Sequence, residues 1–177
     1  MAYPSTLDER RWWCEGSSMS RDEEWMREAL VLAKKAAERG EVPVGALVVR
    51  EETIVGVGYN LRESAQDPTA HAELIAVRAA AARLGSWRLD GCEVFVTLEP
   101  CPMCAGMLVQ ARVPRVVYGA LDAKAGATES LFRLGDDARL NHRFESVSGV
   151  LEAECSAVLT DFFAAIRASR KTGAKAR

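Results

Sequence analysis

The sequence predicts a layered α/β sandwich. Runs rich in β-branched residues alternate with segments of helical apolar spacing, an order that pairs strands in parallel beneath covering helices. At 177 residues the chain is sized for one domain, one that buries about 70% of the surface its unfolded form exposes. Although 49% of its residues are hydrophobic, no uninterrupted apolar run approaches the roughly 18 residues of a membrane span.

Residues 1–18 show no periodicity and end in Gly16-Ser17-Ser18, so they are expected to be a disordered extension ahead of a folded domain over 19–168. Met19 is a second candidate start. Trp12 and Trp13 leave two readings open, docking onto a surface or no selected role. Asp8, Glu9, Arg10, Arg11 and Glu15, with no apolar run after a basic start, argue against a secretory signal and leave the cytoplasm as the default.

Ser20 and Glu23 form a capping box for a first helix, whose Trp25, Met26, Ala29, Leu30, Ala33, Ala36 and Ala37 recur at helical spacing to about Arg39-Gly40. Val44–Val49 and Thr53–Tyr59 flank the polar turn Arg50-Glu51-Glu52 as a hairpin, with Asn60 just past its end. The next helix is expected from about Pro68 to Leu84, closed by Gly85. Glu93–Thr97 reads as a buried strand, followed by a helix to about Ala111 and a strand over Arg115–Tyr118. A short fifth strand falls near Phe144–Ser148. The last helix carries Leu151, Cys155, Val158, Leu159, Phe162, Phe163 and Ile166 on one face and then frays into a basic tail, 169–177.

Chemistry concentrates in two short segments. His71-Ala72-Glu73 and, thirty residues on, Pro100-Cys101-Pro102-Met103-Cys104 supply an imidazole, two thiolates and a carboxylate. Two thiolates and an imidazole suit zinc, and three protein ligands leave a fourth tetrahedral position for water, as in catalytic zinc sites. Cys101 and Cys104 are three apart and share a helix face. His71 and Glu73 are two apart, about 200° round a mid-helix axis, so both reach one ion only from a first turn aimed end-on at it. Asp67 as N-cap with Pro68 at the first helical position offers such a start, and Pro100 offers the same before Cys101. Two helix N-termini would bring partial positive charge to the thiolates.

A structural zinc site would need a fourth ligand. The chain has no second Cys-x-x-Cys, so Cys92 or His142 would have to serve, and Glu73 would be left without a role. Cys92 and Cys155 otherwise read as small buried apolar residues, Cys14 as a tail residue and His142 as structural. Met103 and Met107 are expected to pack their helix on the sheet, and at least one of Phe162 and Phe163 to join the core. The net charge of −2 is wrong for a general polyanion binder. From Phe162 onward, however, there are five basic residues and no acidic one, which leaves both a solubilising tail and an RNA contact open.

The constellation His-x-Glu with Pro-Cys-x-x-Cys resembles the zinc-dependent nucleobase deaminases. Flanking blocks narrow the resemblance to bacterial tRNA-specific adenosine deaminases over about Ser20 to Ala168: Glu41-Val42-Pro43-Val44-Gly45-Ala46, Asn60, Asp67-Pro68-Thr69-Ala70-His71-Ala72-Glu73, Val96-Thr97-Leu98-Glu99-Pro100-Cys101, Gly119-Ala120 and Asp161-Phe162-Phe163. That resemblance implies a three-layer α/β/α sandwich around a mixed sheet of roughly five strands. It also implies one Zn2+ per subunit on His71, Cys101 and Cys104, with hydroxide attacking C6 of adenine. Glu73 would be the catalytic residue, carrying the water proton to N1 and then protonating the departing amine, so that inosine and ammonia result. The implied substrate contacts are the backbone around Ala72 and Pro100, Asn60 on the purine, Val42 and Pro43 as an apolar wall, and Asp122 and Lys124 on flanking nucleotides. An amide suits adenine because it both donates and accepts. The implied substrate is the wobble adenosine of an arginine tRNA, splayed from its anticodon stem-loop, and the implied assembly is a homodimer away from any membrane. The sequence departs from the family in the segment before Met19 and at Ala125, where some members carry a hydroxyl. Two alternatives stay open: a cytosine, cytidine or guanine deaminase on the same fold, and a non-catalytic zinc-stabilised RNA-binding module.

Overall fold

The computed structural model describes residues 20–173, so the expected N-terminal extension with Trp12, Trp13 and Cys14 lies outside the described residues, as do the last four residues of the basic tail. Helix α1, Arg21–Glu38, begins with the capping box that Ser20 and Glu23 predict: Ser20 Oγ accepts from the Glu23 N–H, and the Glu23 carboxylate accepts from the Ser20 N–H. Strands β1, Gly45–Arg50, and β2, Thr53–Tyr59, form the hairpin. Its turn residues Glu51 and Glu52 both adopt positive φ, 49° and 59°, which matches a two-residue turn to the strands' right-handed twist. A single-turn helix α2, Arg62–Ala65, follows; it is too short to leave a periodic signal. Then come α3, Ala72–Leu84, β3, Glu93–Leu98, α4, Pro102–Gln110, and β4, Arg115–Ala120. A short strand β5, Glu145–Val147, and α5, Glu152–Gly173, complete the chain, so helix continues into the segment expected as tail.

The sheet order is β2-β1-β3-β4-β5. β1 is antiparallel to both neighbours, whereas β3, β4 and β5 run parallel, so the sheet is mixed. Alternate residues face opposite layers. Ala46, Val48, Val94, Val96, Val116 and Tyr118 pack beneath α3 and α4, while Leu47, Val49, Phe95 and Val117 pack against α1 and α5. The result is the three-layer sandwich. Cys92 and Cys155 are buried within it, as expected. At the N-terminal end of β3, Glu93 bridges Arg21 (2.7 Å) and Arg115 (2.6 Å), and Arg115 also pairs with Asp22 (2.6 Å). Among the described residues no helix is long and apolar enough to cross a membrane.

Three expectations are corrected. α3 starts at Ala72 rather than near Pro68, because the Asp67 carboxylate accepts from both the N–H and the hydroxyl of Thr69, each at 2.7 Å, and so closes a local turn instead of capping a helix. Met107 packs on the core but Met103 is exposed. Neither phenylalanine of α5 is fully buried: Phe162 is half-buried, and Phe163 is exposed and meets it edge-on at 5.5 Å.

α3 lies on β2 almost backbone to backbone. A Cβ on Gly58 would stand 2.3 Å from the Ala72 carbonyl oxygen, and one on Gly56 would stand 2.2 Å from that of Ala76. Gly58→Ala must therefore lift the first turn of α3. Overpacking of this kind costs about 1–3 kcal/mol, which for a domain of this size lowers Tm by about 2–4 °C per kcal/mol. Thermal denaturation should show that loss, and zinc titration should show weaker binding, since Ala72 stands between His71 and Glu73.

Candidate metal centre

Two helix N-termini meet at one point. His71 is the N-cap residue of α3, with φ −78° and ψ 151°, and Glu73 lies in that helix's first turn. Cys101 is the N-cap residue of α4, and Cys104 lies in its first turn. The proline at the start of α4 is Pro102, not Pro100. Neither His71 nor Cys101 uses its side chain to cap its own helix, which leaves the imidazole and the thiol for another partner. That is the end-on arrangement the two-residue spacing of His71 and Glu73 requires, reached through a different cap.

His71 Nδ1 is 3.7 Å from Cys101 Sγ and 3.6 Å from Cys104 Sγ. Zinc at about 2.3 Å from sulfur and about 2.0–2.1 Å from nitrogen, with a tetrahedral angle between them, gives an N···S edge of about 3.6 Å. The donor set therefore fits zinc in kind and in spacing, with the ring proton on Nε2. The three donor atoms lie within 4.8 Å of one another, and among the described residues no other histidine, cysteine or carboxylate joins the group. Cys92 sits in the core, and a ring nitrogen of His142 faces the Val113 carbonyl at 2.7 Å, so neither completes a structural site.

On protein charges alone the cluster holds its protons unevenly. Hydrogen bonding with Cys104 pulls Cys101 down to about 4, and the same contact together with burial pushes Cys104 up. His71 is raised, chiefly by Cys101. A divalent cation overrides this order, because a coordinating thiol is deprotonated outright. Glu73 is 4% exposed, and burial is the main cause that raises its pKa. It stands beside the donors without belonging to them.

A cleft opens over this cluster. Val42, Asn60 and Ala72 line it beside His71 and Glu73, as do Val44, Arg62, Leu98 and Glu99, which spacing had not singled out for the site. Pro43 and Pro100 are buried and do not line it. Asp122 and Lys124 lie outside it, with Lys124 on a separate concavity shared with Phe163 and Arg167 of α5. Asn60 is held from two sides: its Nδ2 donates to the Val42 carbonyl at 3.3 Å, and its Oδ1 accepts from the Arg62 N–H at 3.4 Å. One amide hydrogen and one lone pair remain unused.

Residues 19–120 match the model of the cytidine and deoxycytidylate deaminase zinc-binding region. The chain belongs to this zinc deaminase family. The tRNA-specific adenosine deaminase of Bacillus subtilis strain 168 is 48% identical over 157 residues, covering 89% of this chain and 98% of that one. A solved structure from studies of A-to-I editing by tRNA:A34 deaminases at the wobble position superposes with a TM-score of 0.74 at 41% identity, covering 77% of this chain and 99% of its own. The guanine deaminase of Bacillus subtilis is less similar, with a TM-score of 0.55 and 32% identity over 64% of this chain and 82% of its own.

Two further buried acids shape this deaminase. Glu41, 1% exposed, accepts from the backbone N–H groups of Ser64 (2.6 Å) and Glu63 (3.1 Å), so it caps α2 from across the cleft-lining loop. Glu99, 2% exposed, accepts from N–H and hydroxyl groups of residues 122–130. Burial alone would raise Glu99, but hydrogen bonds from Ser130, Asp122 and Glu129 outweigh it and hold its pKa at about 2. A glutamate set between Leu98 and Pro100 at the end of a buried strand was the available signal for Glu99. Because the folded pKa lies below the ordinary 4.5, the stabilisation is complete above about 4.5 and is lost as pH falls toward 2. Urea unfolding across that window should show a steeper loss for the wild type than for Glu99→Gln, and equal slopes would contradict this account.

Proposed function

We propose that this chain hydrolyses adenosine to inosine at the wobble position of a transfer RNA anticodon, with release of ammonia. The observation that carries the reading is Glu73: a buried carboxylate two residues from a metal ligand that stays outside the donor cluster and lines the same cleft as Asn60. A structural zinc site has no use for such an acid, whereas hydrolytic deamination requires one. The choice of adenosine in tRNA is supported by the 48% identity to a tRNA-specific adenosine deaminase, against 32% to a guanine deaminase.

His71, Cys101 and Cys104 would hold zinc, which supplies the Lewis acidity that turns water into a nucleophile near neutral pH. Glu73 takes the proton of that water, places it on N1 of the adenine and later protonates the departing amine. Its burial keeps the proton from bulk solvent between these steps. Asn60 offers its remaining hydrogen and lone pair to the purine edge, and Val42 supplies an apolar wall. Ala72 would border the reacting centre. Asp122 and Lys124, outside the cleft, would meet nucleotides flanking the target. An arginine tRNA as substrate, a homodimer as the working form and the cytoplasm as its place complete the proposal.

Nucleoside analysis of an arginine-tRNA anticodon stem-loop after incubation with purified protein should reveal inosine. Glu73→Gln should keep fold and zinc but lose activity by about 10²–10⁴-fold, the share general acid–base catalysis supplies. Chelation should abolish turnover and added zinc should restore it. Rapid ammonia release from guanine or cytidine with an inert stem-loop would reassign the substrate, and undiminished editing by Glu73→Gln would remove that residue from the mechanism.

A further inference from the structure

Residues 121–130 form neither helix nor strand, and backbone without a ladder must find hydrogen-bond partners elsewhere. Glu99 provides them. Its Oε1 accepts from the N–H groups of Thr128 (3.2 Å), Glu129 (2.8 Å) and Ser130 (2.9 Å) and from the Thr128 hydroxyl (3.3 Å). Its Oε2 accepts from the Asp122 N–H (3.0 Å) and the Ser130 hydroxyl. A carboxylate has about four lone-pair sites, so both oxygens are saturated and nothing remains for a substrate. Glu99 lines the cleft, yet it can act only through the loop.

The loop is built around that carboxylate. A Cβ on Gly126 would stand 2.1 Å from Glu99 Oε2, and the Ala127 N–H donates to the Pro100 carbonyl at 2.8 Å, next to the ligand Cys101. Asp122 Oδ1 in turn accepts from the N–H groups of Lys124 (2.9 Å) and Ala125 (3.2 Å), so the turn that presents the exposed Lys124 hangs from Glu99 by way of Asp122. Lys124 shares its concavity with Phe163 and Arg167, a grouping of two cations and a ring that suits a nucleotide strand.

We propose that Glu99 is a positioning residue that locks residues 122–130 to the metal-bearing turn and so sets where RNA beside the target base is held. The assignment rests on the deaminase reading given above. Ser130→Ala removes one donor to the carboxylate, and Gly126→Ala pushes a methyl group into it. Both variants should keep wild-type zinc content and kcat, raise KM for the anticodon stem-loop on the order of tenfold or more, and speed amide exchange within 122–130 alone. Adding Glu99→Asp to Gly126→Ala withdraws the carboxylate and should recover part of the lost KM. Unchanged KM in both single variants would overturn the assignment. So would a fall in kcat that tracks lost zinc, which would make Glu99 a mere prop for the metal turn. Fluorescence anisotropy with labelled stem-loop keeps the two readings apart: wild-type protein that neither binds nor edits it refutes the deaminase reading and this one with it, whereas wild-type editing with unaffected variants refutes only the role of Glu99.

Discussion

The close seating of α3 on β2 is the constraint on which the site depends. Helix and strand ordinarily keep a layer of side chains between them, but Gly56 and Gly58 present no Cβ to the Ala72, Ala76 and Ala80 stretch of α3. That contact fixes the height of the first turn of α3, and with it His71 and Glu73. The second half of the site arrives by the same logic on a neighbouring strand. β2 and β3 run in the same direction because both are antiparallel to β1, which lies between them. Helices that follow them therefore begin at one edge of the sheet, and ligands carried on their N-caps converge without any long loop having to close on the metal.

Much of this was legible in local chemistry. The capping box at Ser20, the hairpin and the alternating inward residues of β1, β3 and β4 each follow from patterns spanning fewer than a dozen residues. The donor set was equally plain, since imidazole and thiolates at helical spacing have few other uses. What spacing could not settle was competition between partners. Asp67 looks like a helix cap, but Thr69 lies closer to hand and takes its carboxylate. α2 forms because Glu41, some twenty residues away in the chain, satisfies its first N–H groups, and no local pattern encodes that. Arg62 entered the cleft by the same route. Pro43 illustrates the converse limit, in that resemblance assigned it to an apolar wall of the substrate site while its position puts it in the interior.

Three buried glutamates show how the fold assigns different work to one residue type. Glu99 meets a full set of donors, and Glu41 meets two backbone N–H groups, so hydrogen bonding overcomes the burial of each and both are driven below the ordinary carboxylate range. Glu73 receives no such set. Burial dominates there and disfavours the charged form, because its own backbone N–H, the His71 charge and a hydrogen bond with Cys104 offset it only in part. A carboxylate that anchors a neighbouring turn through its backbone N–H groups cannot exchange a proton without loosening that turn, which suits Glu41 and Glu99 to architecture. Proton transfer needs the opposite condition, an acid that lines the cleft and holds up no neighbouring loop, and among these three that condition is met where α3 begins. The separation of roles is thus set by how many backbone donors each local turn can aim at a carboxylate, a property of loop geometry rather than of the glutamate itself.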